Sequence, residues 1–182
     1  MRELDKGEEN MMKTLKLSLS MLLMAGLAYA MPTLAQDATF ADVNVLYSFG
    51  LPDAKWKMTV KPSATSANVE YVYGDRFDGH LEVRKLTVPT GDTLPDVVRN
   101  EEQKLQFRPG FVAGREENFV GRLKGSVYNF EYVAAGRSMS GRFYFVRAND
   151  TTVYLLRFSG HRDSLRTIRS QTDSIARTFG IK

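Results

Sequence analysis

The chain contains no cysteine, which excludes disulfide staples, thiolate metal sites, cysteine nucleophiles and a lipidated cysteine anchor together. Packing and hydrogen bonding must hold the fold. Histidine is almost as scarce, with two copies, and tryptophan occurs once, at Trp56. Long apolar runs are also missing. The best, within "MKTLKLSLSMLLMAGLAYA" (12–30), is shorter and more serine-interrupted than the roughly 20 apolar residues a bilayer span requires. It has the parts of an export signal instead. Lys13 and Lys16 precede an apolar stretch over 17–27, and Ala28-Tyr29-Ala30 forms a small-x-small cleavage pattern. Cleavage is expected after Ala30, with a second choice after Ala35. The opening "MRELDKGEEN" carries four acids and fits poorly ahead of such a signal, so Met11 or Met12 is the more natural start. Residues 1–30 therefore read as a leader. Residues 31–182 read as one soluble, periplasmic or extracellular domain with no stable membrane span once the signal is cut.

A strong charge of either sign is absent as well. The chain has 25 basic and 21 acidic side chains, and four of each lie in residues 1–35, so the remainder keeps the net charge of +4. No basic run tracks a phosphate backbone, which argues against nucleic acid as a partner. The Gly-rich stretch at 110–125 contains neither G-x-x-x-x-G-K-[ST] nor G-x-G-x-x-G, and G-x-S-x-G is missing from the chain. No cofactor is expected.

What the chain does contain is alternation. Residues 43–49 read as a short strand after a polar lead-in at 36–42. Trp56, Met58 and Val60 then share one face of a second. "NVEYVYG" (68–74) and "LEVRKLTV" (81–88) form a hairpin across a turn containing Asp78-Gly79. Thr93 or Asp92 can cap a helix over 94–106, with Pro95 in an early position. The aperiodic stretch 107–126 reads as a long loop with at most a short strand. Strands at 126–136, 141–150 and 151–160 make a meander, with "GRSMSG" closing its first turn. The last element is a helix whose stripe is Leu165, Ile168, Thr172, Ile175 and Phe179. Its wet face carries Arg162, Arg166, Arg169 and Arg177, with Asp173 spaced to pair with Arg177, and Gly180 stops it. The sum is an α+β domain: a central antiparallel sheet of about six strands covered by two principal helices.

Candidate sites are few. Trp56 alternates with apolar neighbours and reads first as a core anchor, second as a ligand platform. The aromatic row Tyr128, Phe130 and Tyr132, with Tyr144 and Tyr154 on neighbouring strands, reads as core or as the wall of a groove. Asp75, Asp78 and His80 form the densest set of metal-ligand types, yet a tight reversal needs the same residues, so no metal is expected there. His161 with Asp163 invites a catalytic reading beside Ser159 or Ser164, but adjacency in sequence specifies no attack geometry. The terminal-helix arginines are the best interaction surface, suited to the carboxylates or phosphates of an envelope protein or an anionic surface. Oligomeric state has no signature in the sequence.

The phrase "YSFGLPDAKWKM", the strand "TTVYLLRFSG" and the closing "IARTFGIK" together resemble the PsbP-like (Mog1/PsbP) fold family. The likeness spans about residues 45–182, with "DAK" inserted between Pro52 and Trp56 as a departure. The resemblance implies a central antiparallel sheet flanked by helices, and binding or assembly more often than catalysis. It brings no catalytic residues with it. The expected function is that of an exported, non-enzymatic binding or assembly domain. The alternative is an extracytoplasmic hydrolase whose site forms only in three dimensions.

Overall fold

A computed structural model describes residues 38–182 of the chain, so the expected leader and its cleavage sites lie outside the described residues. Strand β1 (Ala38–Ala41) pairs antiparallel with β2 (Tyr47–Leu51), and the chain then enters β3 (Trp56–Val60), β4 (Val69–Tyr73) and β5 (Gly79–Thr87). Helix α1 (Leu94–Leu105) follows, then β6 (Val112–Val120), β7 (Lys124–Ala134), β8 (Arg137–Asn149) and β9 (Thr152–His161). The chain closes with α2 (Arg162–Thr167), α3 (Arg169–Thr178) and the short β10 (Gly180–Ile181). The main sheet has seven strands in the order β3-β4-β5-β9-β8-β7-β6, every neighbour antiparallel. A second sheet, β1-β2-β10, returns the C-terminus to the start of the domain.

Local chemistry explains the elements that were foreseen. Thr93 caps α1 in a capping box: its hydroxyl accepts from the Asp96 amide, and the Asp96 carboxylate accepts from the Thr93 amide. Pro95 occupies the first turn, where its missing N–H costs nothing. The terminal-helix stripe of Leu165, Ile168, Thr172, Ile175 and Phe179 is buried throughout.

Four details differ from the expectations. The stretch 107–126 is not a long loop, because β6 occupies nine of its residues. This edge strand is exposed at every position except Phe119, so it has no apolar alternation to read. "GRSMSG" is not a turn. The reversal is made by Ala135 and Gly136, with φ of 50° and 72°, and β8 has already begun at Arg137. Gly141 then lies inside that strand because the Phe130 ring packs where its Cβ would be. The terminal helix bends at Ile168, whose φ and ψ are −97° and 16°, giving α2 and α3. The polar lead-in contains β1, anchored by Phe40 alone.

Both faces of the main sheet carry a packed core. On one face Tyr71, Leu81, Tyr144, Tyr154, Leu156 and Phe158 pack with Phe49 of the small sheet and with Leu165, Ile175 and Phe179 of the terminal segment. On the other, Tyr128, Phe143, Phe145, Val153 and Leu155 pack against Val97, Val98 and Leu105 of α1. Each such side chain contributes roughly 1.5–3 kcal/mol by leaving water. The second core contains a polar exception. Among the described residues the Tyr128 hydroxyl is buried without a well-formed hydrogen bond, although the Glu102 carboxylate and the Gly114 backbone lie near it; burial first, then Glu102, push its pKa up. Replacing an unsatisfied group by an apolar isostere removes a desolvation penalty. Tyr128→Phe is therefore expected to leave the urea midpoint unchanged or raise stability by up to about 1 kcal/mol. A drop of that size would show that the hydroxyl is satisfied.

Candidate functional site

Helix α2 starts directly at the end of β9, and its four-residue spacing sends Arg162 and Arg166 to one side, where Arg169 joins them from the first turn of α3. These three line a groove of about 420 Å³ between the helices and strands β6 to β8. Its floor is Arg142 and Asn129, paired across β7 and β8, and its apolar lip includes Val112, Ala113 and Leu165. Four arginines thus face one concavity, against Glu131 as the lining carboxylate.

The floor is held by a buried polar network. Arg142 donates from Nη1 to Asn129 Oδ1 at 2.6 Å, from Nη2 to Asp173 Oδ1 at 2.7 Å, and from Nε to the Tyr144 hydroxyl at 2.6 Å. Tyr144 donates in turn to Asp173. Burial opposes the Arg142 charge, yet Tyr144 and Asp173 outweigh it and hold the guanidinium pKa above its ordinary value. Burial first, then the bond to Asp173, raises the Tyr144 pKa. Arg142 is therefore a fixed cation beneath the groove.

The rim is looser. Arg162 lies 3.5 Å from Glu131 and Arg166 lies 3.1 Å from Asp163, both pairs half exposed or more, where such contacts are worth about 0–1 kcal/mol. Arg169 makes no ion pair among the described residues. These side chains can turn toward an incoming anion at little cost.

Arg177 does not belong to this set. Its Nη1 donates to the Val120 carbonyl at 2.9 Å and its guanidinium lies over the Phe119 ring, so it ties α3 to the edge strand. The expected Asp173–Arg177 pair does not form, because Asp173 is turned inward to Arg142. Sequence reasoning missed Arg142, Asn129 and Asp173 as partners. They come from β8, β7 and α3, and no spacing in the chain links them.

The remaining candidates fall in separate places. Trp56 is 4% exposed, and its Nε1 donates to Gln171 Oε1 at 2.9 Å while its ring packs on Tyr73 and Phe158. Tyr128, Phe130 and Tyr132 are buried on the α1 face. Tyr144 and Tyr154 point to the opposite face, so the five do not line one groove. Asp75 accepts from the amides of Phe77 and Asp78, Asp78 accepts from the Ser164 hydroxyl, and His80 bonds Glu70 at 2.8 Å. Among the described residues no three His, Asp or Glu side chains are grouped to hold a metal ion. His161 stacks on Phe77 and faces Arg137, and among the described residues it hydrogen-bonds neither Ser159 nor Ser164. It stands at the N-cap of α2 without a side-chain capping bond.

No protein-family model matches the chain, and no curated protein is similar to it in sequence. Solved structures are similar to it in shape. The solution structure of cyanobacterial PsbP (CyanoP) from Synechocystis matches with a TM-score of 0.58 at 16% identity, covering 81% of this chain and 94% of that one. The Ran-binding protein Mog1p from Saccharomyces cerevisiae matches at 0.56 and 11% identity, over 81% and 96% of the two chains. LpqN, involved in cell envelope biogenesis of Mycobacterium tuberculosis, matches at 0.52 and 14% identity, over 81% and 86%. At such identities the likeness concerns architecture, and architecture alone does not carry function. This chain has the PsbP/Mog1-like α+β fold.

Proposed function

We propose that this chain is an exported, non-enzymatic accessory domain that binds an acidic segment of an envelope protein in the groove beside α2. The observation that carries the reading is the convergence of Arg162, Arg166 and Arg169 over the buried Arg142. A fork of in-plane N–H donors suits carboxylates, and a fixed cation below a mobile rim gives both register and adaptability. The groove is concave with an apolar lip, which suits an extended side-chain-bearing segment better than a flat lipid surface. Roles among the structural neighbours point the same way: one is a Ran-binding protein and another takes part in cell envelope biogenesis. The hydrolase alternative draws no support from His161, which has neither nearby serine as a hydrogen-bond partner among the described residues.

Fluorescence anisotropy with a labelled decaglutamate peptide tests the proposal. Saturable binding is expected at low ionic strength, weakening as salt screens the rim. Arg166→Glu combined with Arg169→Glu is expected to weaken it at least about tenfold, since two attractive charges become repulsive. Equal affinity of the double variant would overturn the assignment. Stronger binding to anionic vesicles than to the peptide would move the partner from protein to lipid.

A further inference from the structure

The face of the main sheet that carries α1 is only partly covered by it. Helix α1 packs on Phe145, Val153, Leu155 and Tyr128. Beyond them, β5, β9, β8 and β7 continue as an open, concave half-face of about 440 Å³. Register explains the hollow. His80 stands opposite Ser159, which stands opposite Gly141, and Glu82 stands opposite Arg157, which stands opposite Phe143. The small Ser159 leaves the depression between the larger His80, Met139 and Phe143, whereas at Gly141 the Phe130 ring fills the space.

We propose that this half-face is a binding site for a small organic anion, a phosphate or carboxylate on an apolar body, with Arg157 as its anchor. Arg157, Arg84, Arg108 and Arg76 line the cavity, and Glu82 is the lining carboxylate among the described residues. Glu82 is already shared between Arg84 and, at 3.2 Å, Arg157. Of the other nearby acids, Glu70 is engaged outside the lining by His80 and Arg76, and Glu101, whose charge also reaches Arg157, is paired with Lys104.

Arg157 is the decisive residue. Its side chain is only 17% exposed, yet among the described residues its five N–H donors make one hydrogen bond, from Nη1 to Glu82. Burial comes first in lowering its pKa; Arg84 and Arg108 add to the effect, and Glu82 and Glu101 oppose it. A second anion in the cavity would relieve both deficits. The guanidinium carbons of Arg157 and Arg108 lie over the Phe143 and Tyr132 rings, at 4.9 and 4.6 Å from the centroids. Such a contact uses no N–H acceptor pairing, so donors remain for an oxyanion. Met139 and Phe130 supply the apolar wall for the rest of the ligand. The volume suits a molecule of small-metabolite size. This site lies on the sheet face opposite the α2 groove, so the two stand or fall separately.

Phenyl phosphate carries both features and serves as the probe, with inorganic phosphate as the anion control and benzyl alcohol as a neutral aromatic control. In amide NMR titrations of the full chain, phenyl phosphate is expected to give saturable shifts at Met139, Phe143, Arg157 and Ser159. It should bind more tightly than inorganic phosphate, and benzyl alcohol should not saturate. Arg157→Gln is expected to weaken binding about tenfold, the scale of a lost charge-assisted hydrogen bond. Arg108→Gln, at a partly exposed position, is expected to weaken it about threefold, and decides the matter alone if the Arg157 variant does not fold. Unchanged affinity in Arg108→Gln and in a folded Arg157→Gln would overturn the proposal. So would shifts confined to Val112, Ala113 and the 162–169 segment, which would place the anion in the α2 groove instead.

Discussion

Phe179→Ala is expected to destabilise the domain by about 3–5 kcal/mol, a large part of the roughly 5–15 kcal/mol available to a domain of this kind. The ring is fully buried and packs against Tyr47, Phe49 and Tyr154, with centroids at 5.2, 6.4 and 5.3 Å. Removing it opens a cavity where three elements meet: the small sheet, the main sheet and the end of α3. Neither sheet can close over the gap without breaking its own ladder. Urea titration followed by tryptophan fluorescence reads the loss, because Trp56 sits in the same core. Cutting the chain before His161 removes α2, α3 and β10 together and is expected to abolish cooperative unfolding. An unchanged midpoint in the truncated chain would make the terminal segment a detachable arm. The sheet face beneath it would then have to be stable in water, with Tyr144 and Leu156 exposed.

Asp173→Ala is expected to cost about 3–5 kcal/mol, and more than Arg142→Met at the other end of the same ion pair. The asymmetry follows from burial. The Arg142 side chain is 9% exposed and that of Asp173 is 30% exposed. Without Asp173 the guanidinium keeps a full charge in a largely buried site, where Asn129 and Tyr144 are its remaining hydrogen-bond partners among the described residues. Without Arg142 the carboxylate still accepts from Tyr144 and can draw on water. Methionine also fills much of the space that the arginine stem occupied. Denaturant midpoints of the two variants decide the order, and equal costs would mean that water reaches Arg142 as readily as Asp173. The Asp173 variant has a second consequence. Arg142 then lies un-neutralised beneath the α2 groove, so where the fold survives the acidic-peptide affinity at low ionic strength should rise.

The amino-acid sequence by itself determined the elements that bury one face and expose the other. In β4 and β5, Val69, Tyr71, Leu81 and Val83 alternate inward. In the terminal segment, three- and four-residue steps place Leu165, Ile168, Ile175 and Phe179 against the sheet. Such patterns survive in one dimension because a single neighbouring surface sets them. The capping box at Thr93 and Asp96 is equally local, and so is the arginine spacing of α2. Tertiary structure decided everything that depends on two surfaces or none. Strand β6 is exposed at every position but Phe119 and exists because β7 offers it an edge to pair with, which no pattern within 112–120 records. Gly141 stays extended because Phe130 lies across from it, although glycine alone signals a turn. The aromatic row separated from Tyr144 and Tyr154 because register sends adjacent residues to opposite faces, and register is a property of the pair of strands. The same holds for both arginine sites. Arg142 meets Asp173 across 31 residues, and Arg157 meets Glu82 across 75. Charges so far apart in the chain acquire a common field only when the sheet sets them side by side.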